Sequence, residues 1–215
     1  MNKKATIIDL EIGNIFSLRS ALKFCGIDTT ISSDINEIEN AQNIILPGDG
    51  SFPYSMKKIK EKKLFEFLKN IKKTNKNFLG VCVGMQLLFE KSFEHDETQG
   101  LSVFKGEIKP IPNFDKAESN KKIDIPNIGW HSLNIKQENS SLNLLKDIEN
   151  FSNVYFIHSY RAELVNLKIE TAFINYFGHK VTAVVQDENV SACQFHPEKS
   201  GETGLKILKN FFKIY

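Results

Sequence analysis

Short apolar runs alternate with segments of helical periodicity through the first half of the chain, and this alternation restricts the possible folds more than any other feature. The apolar runs predict strands at residues 5–9, 27–31, 43–46 and 78–81. After Asn14, apolar residues recur at helical spacing up to Cys25. Strands that alternate with helices form a mostly parallel sheet with helices on both faces, and such sheets bind ligands at the carboxyl ends of their strands.

The second half of the chain has a different pattern, in which Gly and Asn turns separate several apolar strands. The predicted strands are residues 103–111, 128–135, 154–159, 171–176, 181–186 and 190–195. The predicted helices are residues 15–25, 53–73, 83–91 and 204–212. We therefore expect an α/β fold with a mostly parallel sheet flanked by helices and an added antiparallel layer. Residues 1–215 are expected to form a single domain.

The composition argues against several classes of protein. A chain of 215 residues with a net charge of +2 and only two arginines, Arg19 and Arg161, lacks the basic excess of a nucleic-acid-binding protein. The longest apolar run, residues 78–85, is too short to cross a membrane, so we expect no membrane association. The first residues lack the apolar segment of a signal peptide, and a cytoplasmic location is expected.

The cysteines and histidines show no spacing typical of a metal site. Cys25, Cys82 and Cys193 are far apart, and their odd number fits neither a disulfide framework nor a zinc site. The five histidines have no metal-ligand spacing. We expect neither a metal ion nor a cofactor.

Cys82 lies at a predicted strand-to-helix turn, in the segment GVCVG at residues 80–84. Glycines two residues before and two residues after it allow a sharp turn that exposes the sulfur at the carboxyl end of the strand. The positive end of the following helix favours a thiolate, and the backbone N–H of Val83 would face a developing oxyanion. This pattern favours a nucleophile over a packed core cysteine.

A thiol nucleophile needs a base, and the segment QFHPE at residues 194–198 supplies one. His196 follows a predicted strand, so it is expected at the same edge of the sheet as Cys82. Glu198 is two residues further on and can orient the imidazole. Gly48, Asp49 and Gly50 follow the third predicted strand, where their backbone could form the second half of an oxyanion hole.

Together these motifs resemble class I glutamine amidotransferases, and most closely the glutaminase subunits of imidazole glycerol phosphate synthases. The resemblance extends over almost the whole chain, in the expected order. It rests on the segments DLEIGN (9–14), PGDG (47–50), GVCVGMQLLF (80–89), NIGW (127–130), YFIHSY (155–160) and FHPEKSG (195–201). It implies a flavodoxin-like amidotransferase fold.

The resemblance also implies roles for individual residues. Cys82 would attack the carboxamide of glutamine to form a glutamyl thioester, while His196 moves the proton and Glu198 orients His196. The oxyanion would be held by Val83 and by the loop of Gly48, Asp49 and Gly50. The residues implied to contact glutamine are Gln86, Glu94, Ser159 and Tyr160.

A glutaminase of this length has no evident use for ammonia within its own chain. The resemblance therefore implies a heterodimer with a cyclase subunit, a HisF-like (β/α)8 barrel. That partner would use the ammonia to form imidazole glycerol phosphate and an aminoimidazole carboxamide ribotide in histidine biosynthesis.

Three departures from the family pattern leave alternatives open: Glu11 replaces a glycine, Asp49 replaces a small or apolar residue, and His131 replaces an asparagine. The acceptor of the ammonia could instead be a sugar in surface-glycan biosynthesis, through a paralogous barrel. Two other hypotheses are a Cys-His peptidase and a binding subunit with a relic site. Gln86 and the loop at residues 47–50 argue against the peptidase.

Overall fold

An eight-stranded sheet forms the centre of the computed structural model, which describes residues 3–116, 118, 121–136 and 143–213. In spatial order its strands are β2 (Ile27–Ser32), β1 (Lys3–Ile8), β3 (Asn43–Leu46), β4 (Asn77–Val81), β14 (Val190–Cys193), β13 (His179–Asp187), β12 (Glu170–Tyr176) and β9 (Asn134–Ile135). The first five are parallel, and the last three continue the sheet in antiparallel pairing. The added antiparallel strands therefore extend the sheet itself.

Two smaller sheets complete the strand structure of the described residues. One pairs β8 (Asn127–Ser132) with β10 (Asn153–His158) in antiparallel register. The other contains β11 (Tyr160–Leu164), β7 (Gly106–Pro110), β5 (Lys91–Ser92) and β6 (Thr98–Gln99) in that order. The ring of Phe156 in β10 contacts the ring of Phe195 next to β14, with centroids 5.7 Å apart, and both side chains are fully buried. This contact attaches the two-stranded sheet to the centre of the molecule.

The part of the chain that the structure describes contains six α-helices, of which the last follows the final strand. They are α1 (Ile15–Phe24), α2 (Ile35–Asn40), α3 (Phe52–Glu61), α4 (Phe65–Lys69), α5 (Val83–Gln86) and α6 (Gly201–Phe211). The side chain of Asn14 caps α1 by accepting a hydrogen bond from the Ser17 N–H. None of these helices combines the length and apolar character needed to cross a bilayer.

The prediction of one helix over residues 53–73 is wrong. Lys63, at φ +58°, ends α3 in a Schellman motif, in which Leu64 N–H donates to the Ile59 carbonyl and Lys63 N–H to the Lys60 carbonyl. Leu64 and Ile59 are fully buried, so their packing stabilises this helix end. The left-handed position usually carries glycine, and lysine there gives no sequence signal.

The helix predicted over residues 83–91 is also too long, because α5 ends at Gln86. The N–H groups of Leu88 and Phe89 make tighter bonds, to the carbonyls three residues before them. The Leu88 carbonyl accepts from the N–H groups of Val103 and Phe104, so it is unavailable to continue a helix. Contacts distant in sequence therefore set this boundary.

Candidate active site

Cys82 lies at the sharp turn between β4 and α5, with φ +53° and ψ −112°. No side chain fits at the neighbouring glycines. A Cβ at Gly84 would clash with the Leu46 carbonyl, and one at Gly48 would clash with the Gly84 backbone nitrogen. The turn and the loop after β3 therefore pack backbone against backbone, and Cys82, only 4% exposed, lines a cavity.

His196 faces the same cavity and is held by Glu198. The imidazole Nδ1 lies 2.7 Å from Glu198 Oε1, and both side chains are almost completely buried. Nε2 makes no hydrogen bond to the described part of the chain. Burial disfavours the imidazolium, but interactions with Cys82 and Glu198 outweigh it and raise the pKa of His196 to about 10. Cys82 and His196 line the same cavity, and no hydrogen bond joins the Cys82 sulfur to Nε2.

The cavity has a volume of about 390 Å³ and lies at the carboxyl ends of β3, β4 and β14. All of the predicted site residues line it except Gly48 and Glu198, which lie directly behind Val83 and His196. Its lining is Asp49, Gly50, Cys82, Val83, Gln86, Glu94, Pro126, Ile157, His158, Ser159, Tyr160 and His196. The structure therefore brings residues from six separate stretches of the chain to one site.

The loop at residues 47–50, predicted to supply the second oxyanion donor, is oriented so that its Gly48 carbonyl accepts from the first predicted donor, the Val83 N–H. The Val83 N–H donates to the Gly48 carbonyl at 3.4 Å, so this amide is not free for a ligand. Asp49 Oδ2 accepts a hydrogen bond from the Asn14 N–H at 2.6 Å, and Asp49 Oδ1 lies 3.9 Å from His196 Nε2. In this structure the loop is tied to the segment after β1.

The four residues predicted to contact glutamine all line the cavity, but each is also used within the chain. Gln86 Nε2 donates to the Tyr160 carbonyl at 3.2 Å and to Gln194 Oε1 at 3.0 Å. Glu94 Oε2 accepts from the Phe52 N–H at 2.7 Å and so caps α3. The Ser159 carbonyl accepts from the backbone of residue 111 at 2.9 Å. These bonds fix the wall of the cavity.

Sequence reasoning missed four residues that contact this site. Pro126, Ile157 and His158 line the cavity, and Gln194 contacts the Cys82 sulfur. His158 and Gln194 belong to motifs already singled out, and their polar side chains inside apolar strands were an available signal. Burial lowers the pKa of His158 to about 4, so its ring is neutral at pH 7.

No cluster of three or more His, Cys, Asp or Glu side chains suited to a metal ion occurs within the described residues. The chemistry available in the cavity is that of a thiol next to an imidazole and a buried carboxylate. A buried thiol with an adjacent imidazole suits nucleophilic attack on a carbonyl carbon followed by proton transfer.

Known proteins share both the sequence and the fold of this chain. The family model described as glutamine amidotransferase class-I matches residues 6–215. The protein named imidazole glycerol phosphate synthase subunit HisH from Caldanaerobacter subterraneus subsp. tengcongensis is 46% identical, with 95% of each chain covered. Its namesake from Lactococcus lactis subsp. lactis is 42% identical, with 98% of each chain covered.

Solved structures with lower identity have the same fold. PurLQS from Thermotoga maritima has a TM-score of 0.72 at 18% identity, with 99% of each chain covered. A structure described as a glutamine amidotransferase has a TM-score of 0.71 at 16% identity, with 97% of each chain covered. The chain therefore belongs to the class I glutamine amidotransferase family and, within it, to the HisH subunits of imidazole glycerol phosphate synthase.

Proposed function

We propose that this chain is the glutaminase subunit of an imidazole glycerol phosphate synthase and that Cys82 is its nucleophile. The observation that carries the proposal is the shared cavity of Cys82 and His196, with the imidazole held at 2.7 Å by a buried Glu198. Residues 1–215 are proposed to act as one domain in the cytoplasm.

In the proposed mechanism the Cys82 thiolate forms an S–C bond with the carboxamide carbon of glutamine. The imidazolium of His196 gives its proton to the departing nitrogen as the C–N bond breaks, which releases ammonia. Water then attacks the thioester and passes a proton to His196. The C–S bond breaks, glutamate leaves, and the thiolate and imidazolium are restored.

The proposed path requires a change at residues 47–50. The Val83 N–H can stabilise the oxyanion only after the Gly48 carbonyl turns away from it. We therefore expect a low rate of glutamine hydrolysis by the chain alone and a higher rate when a partner moves this loop.

The proposed partner is a HisF-like cyclase barrel, which would consume the ammonia to form imidazole glycerol phosphate and the ribotide product. An apolar strip supports docking next to the cavity. Ile128 and Trp130 in β8 are 56% and 55% exposed, and Ile157 lies directly opposite Ile128 while also lining the cavity. Exposed apolar side chains at a cavity mouth suit a protein interface.

The test is glutamate release by the purified chain, alone and with a histidine-pathway cyclase and its acceptor nucleotide. Strong stimulation by the cyclase, lost in Cys82→Ala, is the expected result. Ile128→Asp should weaken the complex, while Val165→Asp, at an aliphatic residue 76% exposed after β11, should not. No stimulation by the cyclase, or undiminished turnover in Cys82→Ala, would contradict the proposal.

A further inference from the structure

The Cys82 sulfur has a side-chain donor that belongs to neither His196 nor Glu198. Gln194 Nε2 lies 3.6 Å from Cys82 Sγ, within hydrogen-bonding distance for a sulfur acceptor. The Gln194 side chain is fully buried. Its backbone N–H donates to the Ala183 carbonyl of β13 at 2.9 Å, so the residue is anchored to the central sheet.

The orientation of the Gln194 amide follows from one backbone carbonyl. The Tyr160 carbonyl can only accept hydrogen bonds, so Gln86 must turn its NH2 group towards it. The same NH2 group reaches Gln194 at 3.0 Å, so Gln194 must present its oxygen there. Its own NH2 group is then directed at the sulfur. A flipped Gln194 amide would place donor against donor at Gln86.

A second series of hydrogen bonds holds the Tyr160 carbonyl in place. His158 Nδ1 donates to it at 2.7 Å, and His158 Nε2 accepts from Asn127 Nδ2 at 3.0 Å. Asn127 Oδ1 in turn accepts from His131 Nε2 at 2.6 Å. A neutral His158 supplies one donor and one acceptor, as this order requires. The Tyr160 carbonyl therefore accepts from both Gln86 and His158. Because it can only accept, it determines which atoms donate and which accept in each series of hydrogen bonds.

We propose that Gln194 is a further catalytic residue, whose amide N–H stabilises the negative charge on the Cys82 sulfur. The proposal rests on the proposed function, in which Cys82 is the nucleophile. The charge is present before attack and returns when the C–S bond of the thioester breaks, so the donor assists both stages. A hydrogen bond to a charged acceptor is stronger than one to a neutral thiol, so Gln194 favours the charged sulfur selectively. Gln86 acts through Gln194 as a positioning residue.

The test is the rate at which iodoacetamide alkylates Cys82, followed by mass spectrometry of the Cys82 peptide across a pH series. Gln194→Glu keeps an acceptor for Gln86 and removes the donor to the sulfur, while Gln194→Met removes both. Each should slow alkylation at pH 7 by about tenfold or more and shift the profile to higher pH. With glutamine as substrate, kcat should fall by a similar factor while KM changes little.

Gln42→Glu is the matched control. Gln42 precedes β3 at the opposite end of the sheet, is exposed, and donates to the Asn75 carbonyl at 2.7 Å. The same chemical change there should leave the alkylation profile unaltered. Circular dichroism and a thermal melt would identify any Gln194 variant that does not fold.

Wild-type alkylation profiles in a folded Gln194→Met or Gln194→Glu variant would overturn the proposal. A fall in kcat without a shift of the alkylation profile would also overturn it, because a merely structural role would have that effect. Alkylation is measured without glutamine or partner. A failure of the proposed glutaminase function would therefore appear as absent glutamate release by the unaltered chain in the presence of the cyclase and its acceptor nucleotide, separately from the result on Gln194.

Discussion

Replacing Asp49 with alanine is expected to raise the rate at which the isolated chain hydrolyses glutamine. The Asp49 carboxylate holds the Asn14 N–H at 2.6 Å and lies 3.9 Å from His196 Nε2. These contacts stabilise the loop conformation in which the Gly48 carbonyl accepts a hydrogen bond from the Val83 N–H. Without the carboxylate, the loop can turn more easily to the conformation that leaves this N–H free for an oxyanion.

The size of the effect follows from the strength of the contact that is lost. A hydrogen bond to a charged group contributes about 1.5–3 kcal/mol when buried. The Asp49 side chain is 39% exposed, so solvent reduces this to about 1 kcal/mol. A shift of about 1 kcal/mol between two loop conformations raises the population of the minor one about fivefold. Loss of a negative charge beside the oxyanion acts in the same direction.

Glutamate release by the isolated chain is the appropriate assay, with kcat and KM determined separately. Asp49→Ala should increase kcat about fivefold, and the further stimulation by a cyclase should shrink by a similar factor. Asp49→Asn keeps an acceptor for Asn14 and should give an intermediate rate. Asp28→Ala, at an exposed position of β2, is the control and should not change kcat. A folded Asp49→Ala variant with an unchanged or lower kcat would refute this reasoning.

Three further predictions concern ionisation and packing. Glu198→Gln removes a carboxylate that raises the pKa of His196, so an NMR titration should show imidazole deprotonation well below the pH of about 10 expected for the unaltered chain; an unchanged titration would contradict this. Because the pKa of His196 is raised in the folded chain, its protonation stabilises the fold. This stabilisation is fully present below pH 6.5 and is lost as the pH rises through about 10. Hydrogen bonds with Lys62, just after α3, and with Lys58 in α3 lower the pKa of Glu11 from 4.5 to about 2, so the stability it contributes is present above pH 4.5 and lost as the pH falls towards 2. Acid denaturation of Glu11→Gln should therefore show a weaker pH dependence in that range, and an identical curve would count against the ion pairs. Phe156→Ala should lower the free energy of unfolding in urea by about 3–5 kcal/mol, because the ring is fully buried; a loss below about 1 kcal/mol would mean that the site collapses around the gap.

The architecture could be predicted, and the candidate site residues could be located, because their signals are local. The alternation of strands and helices fixes the parallel part of the sheet, and two glycines around Cys82 mark the turn that exposes it. Helix ends were less predictable. Lys63 occupies a left-handed position without being glycine, and α5 ends where the Leu88 carbonyl is taken by a distant segment. Neither effect is visible in a local pattern.

The hydrogen-bond pairing of the residues around the cavity could not be predicted because it depends on contacts between separate loops. The position of Val83 directly after Cys82 predicts that its N–H faces an oxyanion. The hydrogen bond that this N–H makes with the Gly48 carbonyl could not be predicted. Likewise, Gln194 appears in a recognised motif, while its contact with the Cys82 sulfur depends on how β14 lies beside β4. The sequence indicates which residues meet, and the structure adds how their donors and acceptors are paired.

The left-handed backbone of Cys82 has a consequence for how the chain tolerates mutation. A side chain held at φ +53° costs about 1–3 kcal/mol, and glycine would adopt the same conformation with little strain. Cys82→Gly should therefore be inactive yet at least as stable as the original chain, even though glycine's greater freedom in the unfolded state offsets part of the gain. Selection for stability alone would favour losing the proposed nucleophile, and under the proposed function it is selection for activity that keeps the sulfur at this turn.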